Sequence, residues 1–172
     1  MQVNGYVIKE TIKKFLLRKT VLDRLIPESF EQFKRDDESF EQDPVKLAEE
    51  LDKVCYQIAR LEHFRQEYNS NQKIKINGNP MTLSVAIKLF DTYSRIEGLF
   101  RNWAAPKADR YSSRYENKRE EGTIYKYPVM TKQEALKKSE HYAALSADIR
   151  QQVAFANSNM VTVPEEYESL FQ

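Results

Sequence analysis

The sequence predicts a mainly α-helical fold: an antiparallel bundle of four long helices, with room for a small two-stranded β-ribbon. Three observations carry that expectation. Apolar residues return in steps of three and four along four long segments. Glycine and proline are scarce, at 4 and 6 among 172 residues. Helix-start signals also stand where the apolar stripes begin. A charged fraction of 31% with 12% aromatics suits a helix-rich protein better than a β-sandwich or a disordered tail. The length suffices for a core without metals or disulfides, and residues 1–172 read as one domain, with a crossover at 106–130 and a tail at 161–172.

The first helix is expected from Val7 to Ile26. Ile8, Ile12, Phe15, Leu22 and Leu25 mark its apolar face, and Pro27 is the expected stop. The following segment repeats the pentapeptide ESFEQ, too little for a solenoid, and places Phe30, Phe33 and Phe40 in an acidic loop. The second helix has the clearest start. Asp43 is a natural N-cap, and Pro44 fits the first helical position because its missing N–H is not needed there. Leu47, Leu51, Val54, Ile58, Leu61, Arg65 and Tyr68 then form a heptad stripe interrupted by one arginine. From Pro44 to Tyr68 this helix would be roughly 37 Å long.

Lys73-Ile74-Lys75-Ile76 alternates with period two, and Asn77-Gly78 is a strong turn signal. A third helix, capped by Thr82 and closed by Pro106, carries Ala86, Leu89, Tyr93, Ile96, Phe100 and Trp103 on one face. Residues 123–127, TIYKY, have strand-forming composition and are a potential partner for 73–76. Thr131 and Glu134 form a capping box that opens a fourth helix ending near Asn157, with Tyr142, Leu145, Ile149, Val153 and Ala156 along its face. Pro164 opens a last short amphipathic stretch.

Composition and motif content exclude several functions. The net charge of +1 supplies no global steering, so no nucleic-acid partner is expected. No apolar run reaches the roughly 20 residues of a membrane helix, the amino terminus lacks the pattern of a signal peptide, and no membrane partner is expected. The single cysteine, Cys55, permits no intramolecular disulfide; with these features, a cytoplasmic location is expected. A glycine-rich phosphate loop is absent. His63 and His141 lack companions at metal-ligand spacing, so no metal or cofactor is expected. His63 lies eight residues from Cys55, too far along a helix for a nucleophile and its base, and no catalytic residues are assigned.

The strongest polar constellation joins three places: Asn69 with Asn71, the stretch from Arg110 to Lys118, and the strand-like Tyr125-Lys126-Tyr127. Asn69 and Asn71 follow the expected end of the second helix. The segment DRYSSRYENKREEGTIYKYP interleaves Arg110, Arg114, Lys118 and Lys126 with Tyr111, Tyr115, Tyr125 and Tyr127. Arginine offers a planar fork to phosphate or carboxylate, and tyrosine offers a stacking face and a hydroxyl. Together they read as a site for a small anionic, nucleotide-like ligand. The competing reading is a solvated crossover whose cations pair with Asp109, Glu116, Glu120 and Glu121.

Short motifs occur in an order that resembles the septicolysin-like family of small bacterial proteins. They are an Asp-Pro helix start followed by Leu47 and Glu50-Leu51, then EYNSNQ, MTLSVAIKLFDTY, RYSSRYENK and DIRQQVAFAN. Phe90 stands where the family has Arg, and Ser158 where it has Trp. The resemblance implies a helical fold and directs interest to Asn69, Asn71, Asp91, Arg110, Tyr111 and Glu116. The expected function is therefore a non-enzymatic, homo-oligomeric bundle binding a small anionic ligand. The alternatives are a scaffold that docks a partner protein on its apolar stripes or Phe-rich loop, and the pore-forming protein that the family's name suggests.

Overall fold

The computed structural model describes residues 1–31, 43–105 and 129–172. Among them, in chain order, are β1 (Gln2–Val3), α1 (Gly5–Ser29), α2 (Pro44–Asn71), β2 (Lys73–Ile76), β3 (Asn79–Thr82), α3 (Leu83–Ala104), α4 (Lys132–Asn157), β4 (Val161–Thr162) and α5 (Glu165–Glu168). The protein is mostly helical, with small two-stranded sheets. Its contacts divide into two compact units, residues 1–84 with 152–172, and residues 85–151.

In the first unit α1 packs against α2. Gly5 lies beside Tyr68, whereas Arg18 donates to Glu50 at 2.8 Å, so the two helices run antiparallel. Asn4 caps α1 by accepting from Val7 N at 3.0 Å, and this starts the helix earlier than the apolar pattern predicts. The helix also runs past Pro27, the expected stop. That proline sits in the final turn, where its missing donor costs a single ladder bond. The Phe30 N–H donates to the Pro27 carbonyl, and the buried Ser29 hydroxyl donates to Ile26 O at 2.7 Å. Asp43 caps α2 as expected, accepting from Val45 N at 2.9 Å.

The expected heptad on α2 changes at its end. Val54, Leu61, Phe64 and Tyr68 are buried, and Arg65 is exposed. Replacing the step of four after Leu61 by a step of three keeps the stripe on an α-helical period and turns the arginine to solvent. Phe64 meets the C-terminal segment instead. Its ring centroid lies 5.1 Å from that of Tyr167 and 5.9 Å from that of Phe171. Arg60 lies over the Tyr167 ring at 5.4 Å, and its guanidinium donates to the Glu166 carbonyl. Val163, Tyr167 and Leu170 are buried, and β4 pairs with β1 through Val3↔Val161, so residues 161–170 belong to the core of this unit.

The alternating segment 73–76 does form a strand. Its partner among the described residues is β3, in the register Lys73↔Thr82, Ile74↔Met81, Lys75↔Pro80 and Ile76↔Asn79. Asn77 (φ 50°) and Gly78 (φ 78°) both take the left-handed backbone that a two-residue hairpin turn requires. Ile74 and Ile76 are buried, and Lys73 and Lys75 are exposed. The expected alternative partner, 123–127, lies outside the described residues.

In the second unit the α3 and α4 segments run antiparallel. Trp103 Nε1 donates to Met130 O at 3.4 Å, Tyr93 meets Tyr142 at 5.8 Å, and Arg150 lies over Phe90 at 5.3 Å. Those contacts advance along one helix as they retreat along the other. Phe100 stacks on Tyr142 with an interplanar angle of 7°. On α4 here Ile149 is buried as the sequence predicts, while Tyr142 and Leu145 are half-buried. Ala135, Ser139 and Ser146, which the sequence does not predict, are buried as well. Small residues at these positions leave room for the facing aromatics. Ser139 donates to Glu97 Oε1 at 3.2 Å, and Arg101 pairs with the same carboxylate at 3.4 Å.

The capping box of α4 forms as expected: Thr131 N donates to Glu134 Oε2 at 2.9 Å, and Glu134 N donates to Thr131 Oγ1 at 3.2 Å.

Two outcomes follow. The Thr131 backbone and hydroxyl donors lower the Glu134 pKa below its ordinary 4.5. The stabilisation this gives the start of α4 is present above 4.5 and lost as pH falls through the lower folded value. A carboxyl titration by NMR should place the Glu134 midpoint below 4.5, and Thr131→Ala should return it toward that value. A methyl group on Gly5 would come within 3.1 Å of Tyr68 Cε1 and 3.0 Å of Asn157 Cγ. Gly5→Ala should therefore lower stability by about 1–2 kcal/mol in a urea melt, despite the better helix propensity of alanine.

Candidate functional site

The first unit contains a groove of about 410 Å³ lined by Lys73, Ile74, Lys75, Pro80, Gln152, Phe155, Ala156 and Asn159. One wall is the β2–β3 hairpin, and the other is the last turn of α4 with the residues after it. The hairpin wall follows from sequence directly. Period two puts Ile74 and Ile76 on the buried face and Lys73 and Lys75 on the other, about 7 Å apart along the strand. Pro80 stands opposite Lys75 and narrows the cross-strand neighbourhood to an apolar ring.

The α4 wall is held by Tyr68, whose hydroxyl donates to Ala156 O at 2.8 Å and Asn159 O at 3.2 Å. Burial raises the pKa of this phenol above its ordinary 10.0. The last turn closes on itself as well. Ser158 donates to Phe155 O through both its backbone N–H (3.1 Å) and its hydroxyl (2.6 Å). Asn159 Nδ2 donates to Gln72 Oε1 at 3.0 Å, linking this turn to the residue that joins α2 to β2. Phe155 is left 70% exposed on the groove wall.

Among the described residues, the charged side chains lining this groove are Lys73 and Lys75. The main-chain carbonyls of Phe155 and Ala156 already have donors, so the helix end does not call for a cation. Such a surface can hold an anion against the hairpin and an apolar group against the helix.

The structure distributes the residues singled out by sequence as follows. Asn69 and Asn71 lie within the last turn of α2, which extends to Asn71 instead of ending at Tyr68; Asn69 is half-buried and Asn71 exposed. Neither lines the groove. Asp91 is an exposed residue of α3 in the second unit. Arg110, Tyr111, Arg114, Glu116, Lys118, Tyr125 and Lys126 lie outside the described residues. Cys55 is half-buried on α2.

Sequence reasoning missed the groove residues. Lys73 and Lys75 figured only as a strand pattern. Phe155 carried an available signal, an aromatic residue off the apolar stripe of its own helix. Among the described residues no group of three His, Cys, Asp or Glu side chains is placed to hold a metal ion. No described helix is long and apolar enough to cross a membrane.

No family model and no curated protein matches the chain. Among solved structures, it is similar to the crystal structure of a functionally unknown conserved protein from Corynebacterium diphtheriae. That match has a TM-score of 0.67 and 17% identity, covering 94% of this chain and 100% of the other. At this identity the similarity is one of fold: a mostly helical chain with small β elements.

Removing the Tyr68 hydroxyl should loosen the α4 wall without emptying the core. Tyr68→Phe is expected to cost about 1 kcal/mol in chemical denaturation. Amide hydrogen exchange should rise at Ser158 and Asn159 and stay unchanged in residues 85–104. Because the folded pKa of this phenol is raised, its contribution is present below pH 10.0 and lost as pH climbs through the folded value. Tyr68→Phe should therefore flatten the alkaline limb of the stability profile.

Proposed function

We propose that this protein is a non-enzymatic, oligomeric bundle of four antiparallel helices, akin to the septicolysin-like proteins, that binds a small anionic ligand. The observation that supports this most is the groove beside the β2–β3 hairpin, where Lys73 and Lys75 stand with no carboxylate among the described lining residues. Two ammonium groups one strand repeat apart can share a di-anion, and an apolar surround strengthens their attraction for it. The arginines of the crossover, Arg110 and Arg114, are the proposed second contributor of charge, with its tyrosines contributing stacking faces and hydroxyls.

A second reading, a protein-binding scaffold, draws support from exposed apolar residues on α1. Leu17 (61%) and Val21 (38%) are one turn apart, and Phe30 (70%) stands just past the helix end. This reading predicts a partner lost on Leu17→Ala with Phe30→Ala, with no effect of small anions on stability.

Thermal melts in inorganic pyrophosphate separate the two. At one hundred times its dissociation constant a ligand stabilises by about 2.7 kcal/mol, which for a chain of this size raises Tm by roughly 5–10 °C. Lys73→Ala with Lys75→Ala should abolish that rise, and Arg110→Ala with Arg114→Ala should reduce it if the crossover contributes. A wild-type protein indifferent to pyrophosphate, and to nucleotides, would leave the scaffold reading standing.

A further inference from the structure

The groove has two chemically different walls, and they specify more than an anion. We infer that its ligand is an anion carrying a planar aromatic ring, the chemistry of a nucleoside phosphate, with Phe155 as the stacking platform and Lys73 and Lys75 as the phosphate contacts. The inference rests on the anion-binding reading above and goes further by assigning the ring. Four observations converge on it.

Phe155 is 70% exposed and lines the groove beside the exposed Pro80, with the buried Ile74 and Ala156 contributing little accessible surface there. A flat aromatic face left open on a groove wall, next to a proline ring, offers a stacking surface to a ligand. A base or similar ring laid on Phe155 would cover it by stacking.

The electrostatics fix the direction in which such a ligand lies. Phe155 and Ala156 belong to the last turn of α4, the negative end of its macrodipole. That end presents capped carbonyls and, among the described lining residues, no cation to a phosphate, whereas a neutral ring needs none. The hairpin wall is the positive one, so the anionic end belongs at Lys73 and Lys75, and the ring at Phe155.

Polar groups for the edge of a ring are also present. Gln152 stands one turn before Phe155, and Asn159 follows the helix, with its amide oriented by the hydrogen bond to Gln72. Side-chain amides offer both donor and acceptor, the pair that a heteroaromatic edge requires.

The dimensions agree as well. A volume of about 410 Å³ lies within the range of small-molecule sites and accommodates one ring with a short phosphate chain.

Calorimetric titration of the full chain with adenosine diphosphate, adenosine and inorganic pyrophosphate tests the assignment. The diphosphate should bind at least tenfold tighter than pyrophosphate. Phe155→Ala should erase that advantage while leaving pyrophosphate binding unchanged, and Phe155→Tyr should preserve it. Lys73→Ala with Lys75→Ala should remove binding of both phosphates. Because Phe155 is largely exposed, the alanine variant should keep the wild-type melting temperature within a degree or two. Equal affinities for pyrophosphate and the diphosphate, or a Phe155→Ala variant that binds the diphosphate as wild type does, would overturn the ring assignment and leave anion binding intact. Binding of none of the three probes would overturn both.

Discussion

A single phenol organises the first unit. Tyr68 lies at the end of α2 with its ring against Gly5 of α1 and its hydroxyl on the carbonyls of Ala156 and Asn159. Three segments far apart in sequence therefore meet at one side chain, and each meets it in a different way. The N-terminus of α1 comes close because it has no Cβ there. The end of α4 is held because a buried donor needs an acceptor, and a helix C-terminus has carbonyls to spare. The hairpin then starts one residue past α2, with Leu83 N bonded to Gln72 O at 2.8 Å closing its base. The groove between hairpin and α4 is the space left when those constraints are met.

The second unit is built by another principle. Its helix pair is held by rings meeting small residues: Tyr142 packs with Tyr93, Phe100 and His141, while Ala135, Ser139 and Ser146 lie buried on the same helix. Large side chains from one helix fill space that small ones on the other leave open, which is how interiors reach high packing density. The Ser146 hydroxyl is buried without a hydrogen-bond partner among the described residues. A buried unpaired hydroxyl carries a desolvation cost, which makes this a soft point in the pair.

The helices were legible in the sequence because their caps and apolar periods are local. Asp43-Pro44 and Thr131-x-x-Glu134 name their helix starts without tertiary help, and Asn77-Gly78 names its turn. What was not legible depended on distant partners. The Asn77-Gly78 turn points to a hairpin, whereas composition alone offers 123–127 as a partner for 73–76. The register Ile76↔Asn79 shows the nearer strand paired, and 123–127 lies outside the described residues. Arg65 fitted a strict heptad, but Phe64 is the residue that residues 167–171 cover. Ser139 and Ser146 have no hydrophobic signature, so no periodicity finds them. The groove needed Phe155 and Lys75 to be brought together across about eighty positions, which no motif spacing encodes. Asn69 and Asn71, by contrast, stood out as a pair near a helix end and prove to be its last turn.

The register Lys75↔Pro80 has a bearing on how the protein behaves in a crowded solution. Flanking a two-residue turn, Ile76 and Asn79 form the hydrogen-bonded pair, so Pro80 occupies the next, non-bonded position and its nitrogen faces away from β2. The hairpin loses nothing by having proline there. The outward rim of β3, however, lacks a donor at an interior position, where an added strand would need one. A short ribbon with a blunted rim is a poor template for edge-to-edge association. The same residue that floors the groove thus protects the chain from templated aggregation.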